Sequence, residues 1–400
     1  MKPPLSAHRP CPRCRGWVFV CVLVAILGLP GSGVASDDSK VPDRDSEVVA
    51  TLRPSSRTAA EREILTMRAQ LAKDPVNLPL ATDVASRLIV QFRIESDPRC
   101  LGFAQTALAP WWTNPVPPIE VLVLRATIRQ SLHDFPAALA DLDAALVLNP
   151  RHPQAWLTKA TLHTVRGEYG PARRACVPLL QLTDALTATT AAATVAGLTG
   201  DAARSVELLE AALQREMDAP VAIRVWALTQ LAETTARLGR SAESERHFRT
   251  ALSLAPRDPY LLGGYADLLL DLGRPDEAAA LLGADRKIDG LRMRFAEARQ
   301  SAGHESQAEI QDLEGRFADA LARGDRVHLR EEARFHLRLL RRPASALRLA
   351  RENWEVQKEP ADARLLLECA RVSNDRASAA QVLGWVATNR LEDIHLQARP

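Results

Sequence analysis

Aromatic side chains are scarce in this 400-residue chain: eight Phe, three Tyr and seven Trp make up 4% of it. Gly and Pro are also few, at 19 and 26. Sandwiches and barrels draw on aromatic and β-branched strands joined by many turns, so this composition argues against them. Its richness in Ala, Leu and Arg argues for helix. No charge of one sign predominates, with 51 basic against 49 acidic side chains, so there is no global attraction to nucleic acid. Charged residues at 25% and apolar residues at 46% exclude a wholly disordered chain and a polytopic membrane protein. The length suits about two or three domains.

Signatures of chemistry are missing as well. There is no H-E-x-x-H, no G-x-G-x-x-G opening a helix, no G-x-x-x-x-G-K-[ST] and no G-x-S-x-G, which leaves no standard metal, dinucleotide, phosphate or acyl-transfer site. His304-Glu305 lacks a second histidine. His328 and His336 are eight residues apart, two helical turns and too far for a shared metal, and are expected to be solvated surface side chains. Asp141 and Asp143 lie two apart on a predicted helix, so their carboxylates diverge and cannot work as an acid/base pair. No catalytic residue, cofactor or metal is predicted, and the chain reads as non-catalytic.

The first 35 residues stand apart. Lys2, Arg9, Arg13 and Arg15 form a basic stretch without acids, followed by the apolar run Trp17 to Leu29 and the small-residue end Gly33-Val34-Ala35. That order predicts a secretory signal peptide over 1–35, cleaved after Ala35. Thirteen apolar residues would span about 20 Å as helix, short of the ~30 Å hydrocarbon core, so a spanning helix is disfavoured. Removal of this segment leaves 47 basic and 49 acidic side chains (51 − 4 against 49 − 0). It also leaves three cysteines, Cys100, Cys176 and Cys369, read as small buried side chains. Cys11 and Cys14 have zinc-ligand spacing but no second pair. Periplasmic or secreted placement is expected, with no stable membrane insertion after cleavage.

Residues 36–58 are polar, carry Pro42 and Pro54, and predict a flexible linker. From Ala59 onward the pattern is helical, and it repeats. Ile119 to Ser131 predicts one helix, His133-Asp134 a turn, Ala137 to Leu148 a second helix, and Asn149-Pro150 a stop. Trp156, Ala160, Gly167 and Ala172 renew the pattern after Pro153. Segments near 186–217, 225–258 and from Pro259 follow, turning at Gly200, Gly239 and Gly273. A period of ~34 residues denotes stacked helical hairpins. A small residue early in the second helix lets the two axes approach closely, and the closing proline stops that helix.

Ala126, Ala138, Leu142, Ala145 and Pro150, and again Ala232, Ser244, Phe248, Ala251 and Pro256, fill the positions by which the chain resembles the tetratricopeptide repeat (TPR) family. The resemblance implies an all-α fold, a right-handed α-solenoid of stacked antiparallel hairpins with degenerate ends. It covers residues 81–282 best, with Cys100 in a small-residue slot and Trp111-Trp112 in place of the usual proline. The expected division is 59–284 as repeats and 285–400 as degenerate repeats or a helical cap, the alternative being a separate helical domain.

The resemblance also implies a concave groove for a peptide or another protein. The groove positions fall on Glu120, Thr127, Gln130, Gln154, Thr161, Thr164, Thr190, Thr194, Glu233, Arg237, Tyr260 and Asp267, a partly polar lining suited to hydrogen bonding a peptide backbone. The expected partner is a protein or peptide of the cell envelope, not nucleic acid. The stretch Arg286–Arg351 holds fifteen basic and ten acidic side chains, interleaved at helical spacing, which predicts salt-bridged solvated helices. The alternative function is a carbohydrate-binding module or an enzyme with a site in these C-terminal helices.

Overall fold

The computed structural model describes residues 58–283, 287–324 and 327–396, together with Arg44. The predicted signal and all of the predicted linker save Arg44 and Thr58 lie outside these. Thr58 caps the first helix, α1 (Ala59–Leu71), in a reciprocal capping box with Glu61. Helical hairpins follow. The first is α2 (Leu78–Glu95) with α3 (Arg99–Ala107) and the single turn α4 (Ala109–Trp112). Next come α5 (Ile119–Ser131) with α6 (Phe135–Leu148), and α7 (Pro153–Val165) with α8 (Tyr169–Cys176) and α9 (Leu179–Leu182). The array continues with α10 (Ala185–Ala196) and α11 (Ala202–Arg215), α12 (Val221–Arg237) and α13 (Ser241–Leu254), and α14 (Pro259–Asp271) and α15 (Pro275–Leu282). Three more pairs end it: α16 (Asp289–Ser301) and α17 (Gln307–Ala322), α18 (Leu329–Arg338) and α19 (Pro343–Val356), α20 (Pro360–Val372) and α21 (Arg376–Asn389). Among the described residues no strand occurs, and the fold is an all-α solenoid.

The predicted helix Ile119–Ser131 has the bounds of α5. Each hairpin closes on a residue of positive φ: Ser96, His133, Gly167, Gly200, Gly239, Gly273, Gly303, Arg341 and Asn374. At Gly200 (φ 90°) this conformation is one that side-chain-bearing residues rarely adopt, and a Cβ there would lie 3.0 Å from the Cβ of Arg390. Caps fix the helix starts: Asp134, His152, Asp184 and Asp258 each accept a bond from a first-turn amide. The second helix of the repeat that begins at Pro153 is broken into α8 and α9 at Pro178, which cannot donate within a helix.

The segment 291–322, which fits the repeat pattern poorly, is a hairpin too, turning at Gly303. Neighbouring pairs share cores in sequence. One joins α1 to α5, another α5 to α7, a third α12 to α16 and a fourth α16 to α18. The largest core breaks that order. Leu157, Tyr169, Cys176 and Leu186 of the early repeats pack in it with Trp354, Leu366 and Val382 of the last ones. The Lys358 amide donates to the Val165 carbonyl at 2.7 Å, and the Ile394 amide to the Arg237 carbonyl at 2.9 Å. Trp385 reaches Tyr169, their ring centres 6.2 Å apart. The array therefore curls until its last hairpin seals against the turns after α7, α10 and α12. Leu391 and Leu396 beyond α21 are buried in the same core, where a leucine removed from water contributes about 2 kcal/mol.

Tryptophans serve these joints. Trp354 is buried edge-on to Trp385, with centres 5.2 Å apart. Trp156 packs half-buried between two cores and donates to the Pro150 carbonyl. Trp111 and Trp112 pack against the first core, and the Trp112 carbonyl accepts a bond from Arg125. Cys100, Cys176 and Cys369 are buried free thiols, and burial pushes them up to about 12, 11 and 12. No described helix is long and apolar enough to cross a membrane.

Candidate functional site

Curling of the array forms a half-open cavity of about 390 Å³ on its inner side. Its wall comes from the first helix of seven successive hairpins, α7, α10, α12, α14, α16, α18 and α20, and from the segment after α21. Six of the twelve groove positions read from the sequence meet here: Thr164, Thr194, Glu233, Arg237, Tyr260 and Asp267.

Four polar groups form a chain across three helices. The Thr194 hydroxyl on α10 shares its one proton between the Thr190 carbonyl of its own helix at 2.8 Å and Gln230 Oε1 at 3.0 Å, Gln230 Nε2 donates to Glu233 Oε2 at 3.1 Å on the same helix α12, and the Tyr260 hydroxyl of α14 donates to the other Glu233 oxygen. Each polar group in such a chain orients the next. Arg237, one turn beyond Glu233, donates to the Gly197 carbonyl at 3.3 Å, while its Nε is buried without a partner.

Charge on the far wall comes from α18 and α20. Arg330 reaches Glu359 at 3.0 Å and Asp362 at 3.4 Å. Burial raises Glu359 to about 7; Arg330 opposes this, while Asp362 and Glu233 add to it. Burial likewise raises Glu233, against the Tyr260 hydrogen bond, and lifts Tyr260 well above its ordinary value, with Glu233 adding. Asp267 differs. Burial would raise it, but Arg294 at 2.9 Å and Arg334 at 2.7 Å hold it well below the carboxylate range. Arg334 also makes a fork to Glu297 at 2.8 and 2.7 Å, and Arg364 one to Asp271 at 2.6 Å. The cavity thus has one end where guanidinium and carboxylate are matched, and one around Glu233 and Glu359 where carboxylates exceed cations. Such a surface can hold a partner's charged and hydrogen-bonding groups in a fixed orientation.

The other six groove positions lie elsewhere. Glu120 is exposed on α5. Thr127 and Thr190 are buried and spend their hydroxyls on their own helices, bonding Val123 and Leu186 carbonyls at 2.9 and 2.7 Å. Thr161 is buried on α7. Gln154 is buried and donates to Thr158, and Gln130 is half-buried on α5.

Residues the sequence reading placed in solvent turn out to build the wall. His328 and His336 are half-buried rather than solvated, and His328 lines the cavity. Arg294, Arg330 and Arg334 of the stretch expected to be solvated face inward, because the closed array turns α16 and α18 toward α14. His133, at the turn after α5, is pushed down to about 4 by burial, with Arg330 adding. Asp141 and Asp143 do diverge: Asp141 is buried against Arg125 and Arg129, Asp143 meets Lys159. Interleaved charge in 286–351 was the trace that Arg294, Arg330 and Arg334 left in the sequence. Among the described residues no cluster could hold a metal ion.

Residues 123–176 and 235–291 match two models of the tetratricopeptide repeat. No curated protein matches the sequence. Among solved structures, the chain is similar to PilW, a widely conserved type IV pilus biogenesis factor, with 16% identity, TM-score 0.40, and 50% of this chain and 93% of that one covered. A tetratricopeptide repeat protein from Parabacteroides merdae gives 18% identity and TM-score 0.39 over 61% and 98%. Human IFIT1, in a dimer with m7Gppp-AAAA, gives 12% and 0.45 over 84% and 90%. Similarity of this degree says nothing of ligand or partner.

Proposed function

We propose, from the premise that the chain is a tetratricopeptide-repeat protein, that it is an exported, non-catalytic scaffold that holds a segment of another envelope protein in the inner cavity. Repeats of this kind support a protein-interaction scaffold. The finer reading is carried by one observation: Thr194, Gln230, Glu233 and Tyr260 form a polar wall in a half-open cavity of about 390 Å³. That space is at the lower end of the size of small-molecule sites. A chain end or one or two side chains would fill it, with selectivity from matched charge and hydrogen bonding.

Crosslinking in the envelope fraction tests the reading. A photo-crosslinking residue at Thr164, on the cavity wall, is expected to capture a discrete protein. Capture is lost on Glu233→Arg and kept on Gln130→Arg, since Gln130 lies off the wall. Equal capture by both variants, or turnover of a small substrate by the purified chain, overturns it. The export part is checked by the mass of the protein recovered from cells, expected to begin at Ser36 as the 1–35 segment implies.

A further inference from the structure

The wall of the cavity includes one piece that belongs to no helix. After α21 the chain turns through Arg390 in the left-handed region (φ 53°) and lays Leu391 to Leu396 over the turns that follow α10 and α12. Leu391, Asp393 and Leu396 are buried, while Ile394 is 47% exposed. The Ile394 amide bonds the Arg237 carbonyl at the end of α12. Glu392 accepts from the Ala202 amide at 2.8 Å, which places a carboxylate on the N-terminus of α11. Asp393 lies in the field of Arg237 and Arg364, and His395 Nε2 stands 3.6 Å from Asp271. The bare turn at Gly200 leaves room for the strap's first residue, since a Cβ there would lie 3.0 Å from the Arg390 Cβ, and the turn at Gly239 lies in ordinary contact distance of the Ile394 side chain. Asp393, Ile394 and His395 face the cavity.

The elements of peptide recognition are present within one molecule: two apolar anchors, Glu392 on a helix end, Asp393 in the field of two guanidinium groups, and a main-chain hydrogen bond to Arg237. The strap closes in a turn, with the His395 amide donating to the Asp393 carboxylate at 2.8 Å and the Leu396 amide to the Asp393 carbonyl at 3.1 Å. We propose that this seam is a recognition surface for Leu-Glu-Asp-x-x-Leu segments that take up the same turn, that Leu391–Leu396 is its resident occupant, and that a partner bearing such a segment reaches the cavity by displacing it. The last clause rests on the scaffold reading above; the seam itself does not. A tethered strap competes at an effective concentration of order millimolar, so a free segment of equal intrinsic affinity is largely excluded. A partner prevails only by adding contacts, and the groups beneath the strap, Glu233 and Arg237 among them, offer those contacts.

The test uses a fluorescent peptide, Leu-Glu-Asp-Ile-His-Leu, with the full chain and with the chain ending at Arg390. Binding to the shortened chain is expected to be at least about tenfold tighter than to the full chain, and to vanish when the peptide carries a lysine in place of its aspartate. A shortened chain that melts cooperatively with full helix content yet binds no peptide, or equal binding by both chains, overturns the proposal. Should shortening unfold the protein, the full-length Asp393→Lys, Leu396→Asp variant serves. Its amides at Ala202 and Ile394 are expected to exchange faster and the peptide to bind, and unchanged exchange with no binding overturns the idea. Capture of a protein at Thr164 is read alongside: peptide binding without capture overturns the cavity reading and leaves the seam standing, and capture without peptide binding overturns the seam. Failure of the seam and failure of the cavity reading are therefore told apart.

Discussion

Two groups of buried ions in this molecule look alike and do different work. In the hairpin of α5 and α6, Asp141 is gripped by Arg125 at 2.7 Å and Arg129 at 2.8 Å, all three contributed by one repeat. Around the cavity, Arg330 faces Glu359 and Asp362, with Glu233 nearby, and these four come from α12, α18, α20 and the turn before it. The first group is local, cation-rich and closed by the Trp112 carbonyl on Arg125. The second is assembled only when the array curls, carries more carboxylates than cations, and borders open space. Local ion pairs hold a repeat together, whereas ions gathered from distant repeats leave charge for something else to meet.

Breaking the first group should cost most. Asp141→Ala strands the buried Arg125 guanidinium and the half-buried Arg129 and is expected to lower the stability measured by chemical denaturation by about 3 kcal/mol. A loss under 1 kcal/mol would show that the two groups do not differ as described. Next in size is closure. Gly200→Ala puts a Cβ 3.0 Å from Arg390 at φ 90° and should cost about 2 kcal/mol. Gly273→Ala, at φ 68° with open space around it, should cost about 1 kcal/mol. The same loss from both would mean that contact across the seam adds nothing.

The cavity group should announce itself by pH. Glu359 is raised from 4.5 to about 7, so the folded chain keeps a proton that the unfolded chain has released. Stability from this group is then full at low pH and falls as pH rises from about 4.5 through 7. Glu359→Gln removes that slope and is expected to gain on the order of 1–2 kcal/mol at pH 8 and almost nothing at pH 4.5, read from denaturation at both. A gain that is independent of pH would sink the assignment. Smallest of all, His304→Ala removes an exposed pairing with Asp276 at 3.4 Å and should leave stability within about 0.5 kcal/mol.

The local half of this contrast was legible in the amino acids and the distant half was not. Helix α5, the turns at Gly167, Gly200, Gly239 and Gly273, and the divergence of Asp141 and Asp143 follow from spacing within one repeat. The turn at His133 does the work of glycine without being glycine and was still readable from its spacing, whereas the one at Arg341 was not. Thr127 and Thr190 sit at groove positions by number yet are buried away from the cavity; bonding the carbonyl four residues back does not set them apart, since Thr164 and Thr194 on the wall do the same. Thr194, Glu233, Tyr260 and Asp267 reach the cavity because their helices are consecutive in the stack. Arg330 and Glu359 could not be foreseen, since nothing in one repeat states how far the stack will bend before its ends meet.

An open stack frays from its tips, because each terminal unit has one neighbour fewer than the rest. Here the final hairpin is bonded to Val165 and Arg237 near the middle of the chain, so the C-terminal tip is not loose. Melting must open that clasp before the last hairpins can peel away, which should merge the transitions of early and late repeats into one. During synthesis the opposite holds: the third hairpin waits, its flank unsealed, until the ribosome has released the residues that will cover it.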